Sequence, residues 1–150
     1  MKFSGQCHCG AIRFKGTANP DKVVVCHCTD CQVFSGAPFR AVVPVPAEDI
    51  EFSGSPKIYV KVAASGNARA QAFCGECGTQ LYAAEPNTPK VFNVRLGCVN
   101  ERAALSPKVQ IWSQSAMPWL CDLTALPSHG QGFGSPLTEP PQTARDERAG

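Results

Sequence analysis

The chain has 150 residues, 43% of them apolar and 17% charged, with a net charge of +2. That length and balance fit one ordinary globular domain, able to hide roughly 70% of the surface its unfolded chain exposes, and argue against a disordered chain. The uninterrupted apolar runs are as short as Val23-Val24-Val25, far below the roughly 20 residues that cross a bilayer, so no membrane span is expected. Lys and Arg are scattered and the net charge is mild, which gives no basis for a nucleic-acid partner. No apolar signal region precedes Cys7, so the cytoplasm is the expected compartment.

In chain order, Ala11 to Lys15 alternates, placing Ile12 and Phe14 on one face and Arg13 and Lys15 on the other, the period of a half-buried strand. Val23 to Val25, Phe39 to Val45, Lys57 to Val62, Ala70 to Phe73, Gln80 to Ala83, Val91 to Leu96 and Val109 to Trp112 are rich in β-branched or aromatic residues and bounded by turn formers, so they too are predicted strands. Helical turns are expected only near Thr29 to Phe34 and Ala47 to Ile50. Pro44 and Pro46 suggest a strand at a sheet edge, since proline cannot donate to a ladder. The prediction is a mainly β single domain over residues 1–134. From Ser135 to Gly150 the sequence holds prolines, charges and almost no large apolar residue, which predicts a flexible C-terminal tail.

The chain carries nine cysteines, and in a reducing compartment their spacing points to metal binding or thiol chemistry before disulfides. Cys7-His8-Cys9-Gly10 and Cys74-Gly75-Glu76-Cys77-Gly78 are two tight pairs, each followed by glycine. Together they supply the four thiolates of a closed, structural zinc site, with turns that aim backbone N–H groups at sulfur. Cys26-His27-Cys28-Thr29-Asp30-Cys31 supplies three thiols within six residues. Three protein ligands leave a position open, as catalytic zinc sites do, and a substrate thiol would enter it as thiolate. In an extended Cys-x-Cys segment the middle side chain points away from the face both sulfurs share, so His27 is not expected to be a ligand. A structural zinc completed by Cys98, Cys121 or His129 is the alternative for the trio, and a redox thiol cluster is another. Cys98 and Cys121 lie in apolar strings and read as small buried hydrophobes.

The string Gly5-Gln6-Cys7-His8-Cys9-Gly10-Ala11-Ile12-Arg13-Phe14, then Cys26-His27-Cys28-Thr29-Asp30-Cys31, Phe73-Cys74-Gly75-Glu76-Cys77-Gly78 and the late Trp119 resembles the glutathione-dependent formaldehyde-activating enzyme family, which includes centromere protein V. The resemblance runs from about Gly5 to Phe133. It implies a zinc β-tent (Mss-four-like) fold, with one zinc on Cys7, Cys9, Cys74 and Cys77 and a second on Cys26, Cys28 and Cys31. It further implies a carbon-sulfur lyase that condenses formaldehyde with glutathione, with the second zinc beside the glutathione site. The pattern departs after Gly97, where relatives commonly carry an acidic residue and Cys98-Val99-Asn100 stand here.

The enzyme reading takes a glutathione-like thiol and an aldehyde as substrates, with Cys26, Cys28 and Cys31 as the catalytic set. Arg40, Lys61, Arg69 and Arg95 are candidates to meet the thiol's carboxylates, and Asp30, beside Cys31, is left unassigned between a partner behind the metal ligands and a turn residue that caps backbone N–H groups. The alternatives are a zinc-stabilised binding module without turnover and a thiol oxidoreductase.

Overall fold

The structure is a computed structural model and describes residues 1–62 and 66–138. The chain divides into two compact units, Met1–Ala116 and Met117–Gly150. Among the described residues, no helix is long and apolar enough to cross a membrane.

The first unit is mainly β. Strands β1 (Lys2–Gln6), β2 (Arg13–Thr17) and β5 (Ile50–Ser53) form an antiparallel sheet in the order β1-β2-β5. The larger sheet has seven strands: β3 (Val24–Cys26), β4 (Arg40–Pro46), β6 (Lys57–Val62), β7 (Ala68–Phe73), β8 (Gln80–Ala84), β9 (Val91–Arg95) and β10 (Val109–Ile111), in the order β10-β3-β4-β9-β8-β7-β6. One α-helix is present among the described residues: α1 (Thr29–Ser35) follows β3 and ends at Gly36 in the left-handed conformation, with φ of 61°.

Period-two alternation divides the large sheet into two faces. Val43 and Val45 of β4, Leu81 of β8 and Val94 of β9 join Phe3, Phe14 and Ile50 of the small sheet in one buried cluster. The opposite face is where the polar residues collect. Cross-strand register pairs Cys26 with Arg40, Val42 with Arg95, Asn93 with Ala83, Ala83 with Gln71, and Arg69 with Lys61. These side chains, drawn from six strands, therefore share one face.

Strand β4 is internal to the sheet, contrary to the edge position that Pro44 and Pro46 suggested. The reason is that β3 pairs only with Arg40, Ala41 and Val42. Both prolines lie beyond its end, where no ladder on that side requires their missing N–H groups. β1 and β5 were not expected. Each is held by its partner β2, which overrides a weak local pattern.

In the second unit, Pro118–Ala125 is a 3-10 stretch, and the two-residue strands β11 (Ser128–His129) and β12 (Leu137–Thr138) pair antiparallel. Residues 139–150 of the expected tail lie outside the described residues.

Candidate metal centres and the cleft between strands

The four-thiol set is built by two turns, one between β1 and β2 and the other between β7 and β8. After β1, the Cys7 N–H donates to the Ile12 carbonyl at 2.9 Å and the Gly10 N–H returns to the Cys7 carbonyl at 3.0 Å, with Gly10 at φ of 78°. After β7, the Cys74 N–H donates to the Thr79 carbonyl and the Gly78 N–H to the Cys74 carbonyl, both at 2.9 Å, with Gly78 at φ of 71°. These two positive φ values are ones that glycine accommodates without penalty. The turns bring the Cys7, Cys9, Cys74 and Cys77 sulfurs within 4.8 Å of one another. Cys7 and Cys9 are 3.5 Å apart at sulfur, and Cys9 and Cys74 are 3.7 Å. A tetrahedron with sulfur at about 2.3 Å from zinc has edges of about 3.8 Å, so the set fits that ion.

Donors surround these sulfurs. The Ile12 N–H points at Cys7 Sγ from 3.3 Å. His8 N–H donates to Thr79 Oγ1 at 3.1 Å, which leaves the hydroxyl hydrogen for Cys77 Sγ, also at 3.1 Å. That hydroxyl, followed by backbone N–H groups, holds the Cys77 thiol down at about 5. Thr79 thus ties one turn to the other, and sequence reading had passed over it.

The open set lies at the junction of β3 and α1. Cys26, Cys28 and Cys31 place three sulfurs within 4.8 Å of one another, and among the described residues no fourth cysteine, histidine or carboxylate joins them. Cys28 is the N-cap of α1, its sulfur accepting from the Cys31 N–H at 3.4 Å. Burial pushes the Cys28 thiol up, but hydrogen bonds from Cys31 and Cys26 and the Arg40 charge outweigh it and leave a net downward shift. Burial comes first in raising Cys26 and Cys31. His27 stays out of the set, as expected from the alternation. Its ring is buried, with Nε2 at 2.8 Å from Gln110 Oε1 and the ring edge-on to Phe39. Gln32 Nε2 holds the loop by donating to the carbonyls of His27 and Ser115.

The three thiols open into a cleft of about 320 Å³ on the polar face of the large sheet. Arg40, Lys61, Arg69, Gln71 and Asn93 line it, with Val24, Val42, Ala83 and Ile111 as apolar wall. The Asp30 carboxylate of α1 meets Lys61 Nζ at 2.7 Å, and Phe34 packs on Tyr59 with ring centroids 5.9 Å apart. Both contacts bring α1 over β6. Asp30 is therefore more than a turn residue. Of the four basic candidates, Arg40, Lys61 and Arg69 line the cleft. Arg95 is buried, and its Nη2 donates to Gln71 Oε1 at 2.7 Å. Burial, then the neighbouring Arg40 charge, lowers Arg95 to about 9.

The remaining thiols divide. Cys98 is half-buried, donates to the Gln80 carbonyl at 3.1 Å, and is raised to about 11, chiefly by burial. Cys121 is exposed, contrary to expectation, because the Pro118–Ala125 stretch that carries it buries none of its residues.

Comparison with known proteins agrees with the thiol architecture. The family described as glutathione-dependent formaldehyde-activating enzyme matches residues 2–115. The chain belongs to that family. All seven clustered cysteines fall inside the matched segment of this glutathione-dependent formaldehyde-activating enzyme family member. A Schizosaccharomyces pombe protein named as an uncharacterized lyase is 30% identical over 86 residues, which cover 57% of this chain. The chain spans 60% of that relative's length. The crystal structure of a Rhodobacter sphaeroides protein superposes with a TM-score of 0.53 at 18% identity, covering 71% of this chain and 98% of the other, a likeness of fold.

Proposed function

We propose that the chain is a zinc-dependent carbon-sulfur lyase-type enzyme acting on the adduct of a small thiol, such as glutathione, with an aldehyde such as formaldehyde. The observation that carries this reading is a set of three thiols, with no fourth ligand among the described residues, opening into a cationic cleft. Cys7, Cys9, Cys74 and Cys77 would hold a structural ion, and Cys26, Cys28 and Cys31 a second one. When bound there, zinc would leave one position for a thiol and lower the thiol's pKa from about 8.5 toward neutrality.

The chain's own residues would do the rest. Arg40, Lys61 and Arg69 give the cleft a positive field that attracts an anionic thiol and its carboxylates. The Asp30–Lys61 pair fixes the cleft wall near the thiols. Gln71 and Asn93 offer amide groups, and Val42, Ala83 and Ile111 keep water from one side. In the condensing direction the substrate sulfur forms a bond to the carbonyl carbon, the C=O π pair moves to oxygen, and that oxygen takes the proton the thiol gave up. In the lyase direction the carbon-sulfur bond breaks, the aldehyde reforms, and the hydroxyl proton returns to the thiol. No oxidant or reductant is required.

The test is the rate of hydroxymethyl-thiol exchange between glutathione and formaldehyde, followed by NMR. Wild-type protein should accelerate it, and a folded Cys28→Ser variant should not. No acceleration by metal-loaded wild-type protein, with formaldehyde or with a panel of other aldehydes, would refute the reading.

A further inference from the structure

Strand β6 is an outer strand of the large sheet, and among the described residues no strand pairs with its far edge. Native proteins blunt such edges with short strands, prolines, bulges or free charges, because an open row of backbone donors and acceptors invites another strand. β6 has none of these guards. It runs for six residues, Lys57–Val62, without proline, and keeps one register with β7 over its whole length. Both of its lysines are drawn inward. Lys61 Nζ meets the Asp30 carboxylate at 2.7 Å, and the Lys57 stem lies against Gly75 of the four-thiol turn, where an added Cβ would meet its Cε at 2.9 Å. The strand at the other end of the sheet, β10, is guarded: it has three residues and stops at Trp112, whose φ of 57° breaks the extended backbone.

The two faces of β6 differ. Register places Ile58, Val60 and Val62 beside Ala72, Ala70 and Ala68 of β7 on one face, and Tyr59 and Lys61 beside Gln71 and Arg69 on the cleft face. Ala70 and Ala72 are buried, whereas Ile58, Val60 and Val62, one strand further out, are 48%, 49% and 66% exposed. An apolar face thus runs out to the edge and stops there uncovered. A second copy of the same strand fits it. Antiparallel pairing about a two-fold axis normal to the sheet keeps like faces together, so residues of one face stand opposite residues of the same face. Two registers pair five of the six residues. Centred on Tyr59, the pairing sets Lys57 against Lys61, a like-charge contact that opposes association. Centred on Val60, it sets Val60 against its own copy, Ile58 against Val62 and Tyr59 against Lys61, with apolar partners on one face and a ring beside an ammonium on the other.

We propose that the chain forms a symmetric dimer through β6, antiparallel and centred on Val60, which joins two seven-stranded sheets into one. The contact uses the same patch on both copies and closes on itself, so it makes pairs and not filaments. It also reaches the cleft. Lys61 lines that space, and the partner's Tyr59 stands opposite it at the outer wall, while Tyr59 of the same copy packs on Phe34 of α1. A contact confined to one edge strand is small, and the dimer is expected to be reversible.

The experiment is sedimentation velocity of the metal-loaded full chain over a series of concentrations. Wild-type protein should pass from monomer to dimer as concentration rises. Val60→Lys, which sets two ammonium groups against each other on the axis and removes two apolar side chains, should raise the dissociation constant by about tenfold or more. Val60→Glu should do the same with the opposite charge. Mixing the two variants should restore a dimer, since opposite charges then face each other. Circular dichroism establishes that each variant is folded, as expected for a half-exposed position. If either fails to fold, hydrogen exchange of wild-type protein reads the same contact, with the amides of Ile58 to Val62 slowing as concentration rises. A monomer at every concentration, a dimer indifferent to both substitutions, or variants that stay apart when mixed would overturn the proposal. Growth beyond dimers, which a closed contact forbids, overturns it as well, as does β6 exchange that ignores concentration.

Discussion

Cys77→Ser should cost the protein far more stability than Cys28→Ser, although each removes one sulfur from a metal set. The four-thiol set spans the chain: Cys9 and Cys74 stand 65 residues apart in sequence with their sulfurs 3.7 Å apart. The three-thiol set closes only the short segment from Cys26 to Cys31. Loop-closure entropy grows as (3/2)RT ln n, so the long closure restrains about 2 kcal/mol more of unfolded-chain freedom than the short one. A structural zinc contributes on the order of 10 kcal/mol to folding, against a total stability of about 5–15 kcal/mol for a typical protein. Cys77→Ser is therefore expected to be unfolded, or nearly so, at 37 °C. Serine at position 28 keeps an N-cap oxygen for α1, so Cys28→Ser should remain folded, losing a few kcal/mol at most and roughly 4 °C in Tm for each. Thermal melts by circular dichroism in matched zinc, with metal content measured in the same samples, make the comparison. Equal losses of Tm in the two variants would refute the division into a structural and a reactive centre.

Three other outcomes are expected. Gly5→Ala would drive its Cβ into the Cys98 carbonyl and the Phe14 ring, and should lower stability by about 1–3 kcal/mol in urea titration. Gln71→Leu removes the acceptor shared by Arg40 and Arg95 and should cost about 1.5–3 kcal/mol in the same assay, since charged donors are then left buried. Cys98, raised to about 11 and half-buried, is almost wholly protonated at pH 8. Iodoacetamide should therefore label the exposed Cys121 first in metal-loaded protein, as peptide mass mapping would show.

The partition of the seven clustered cysteines was legible in the sequence because it depends on local spacing. Cys7 and Cys9, two residues apart, share a face even in extended chain, whereas Cys74 and Cys77, three apart, share one only if the chain turns, and Gly10 and Gly78 mark the turns that follow each pair. Strands β6 to β10 were legible from β-branched and aromatic runs, and α1 from its place after Cys28. β1 was not. Lys2–Gln6 contains one large apolar residue, Phe3, and its Gly5 is required by close neighbours that only the fold supplies. The cleft was hidden for the same reason. Arg40, Lys61, Arg69 and Arg95 were recognisable as cations, but their ranking depends on register across the large sheet. Gln71, which gathers two of them, carries no local signal beyond its alternation with Arg69. The exposed Cys121 shows the opposite failure, an apolar string that forms no buried face.

The central claim is that the Cys26, Cys28 and Cys31 centre holds a metal with a position open to a thiol. Its most direct test is metal content per chain, followed by glutathione titration of cobalt-substituted protein watched by absorption spectroscopy. Two metals per chain are expected, with a cobalt spectrum that shifts as glutathione is added, a shift lost in Cys28→Ser. One metal per chain, or two whose spectra ignore the thiol, would contradict it.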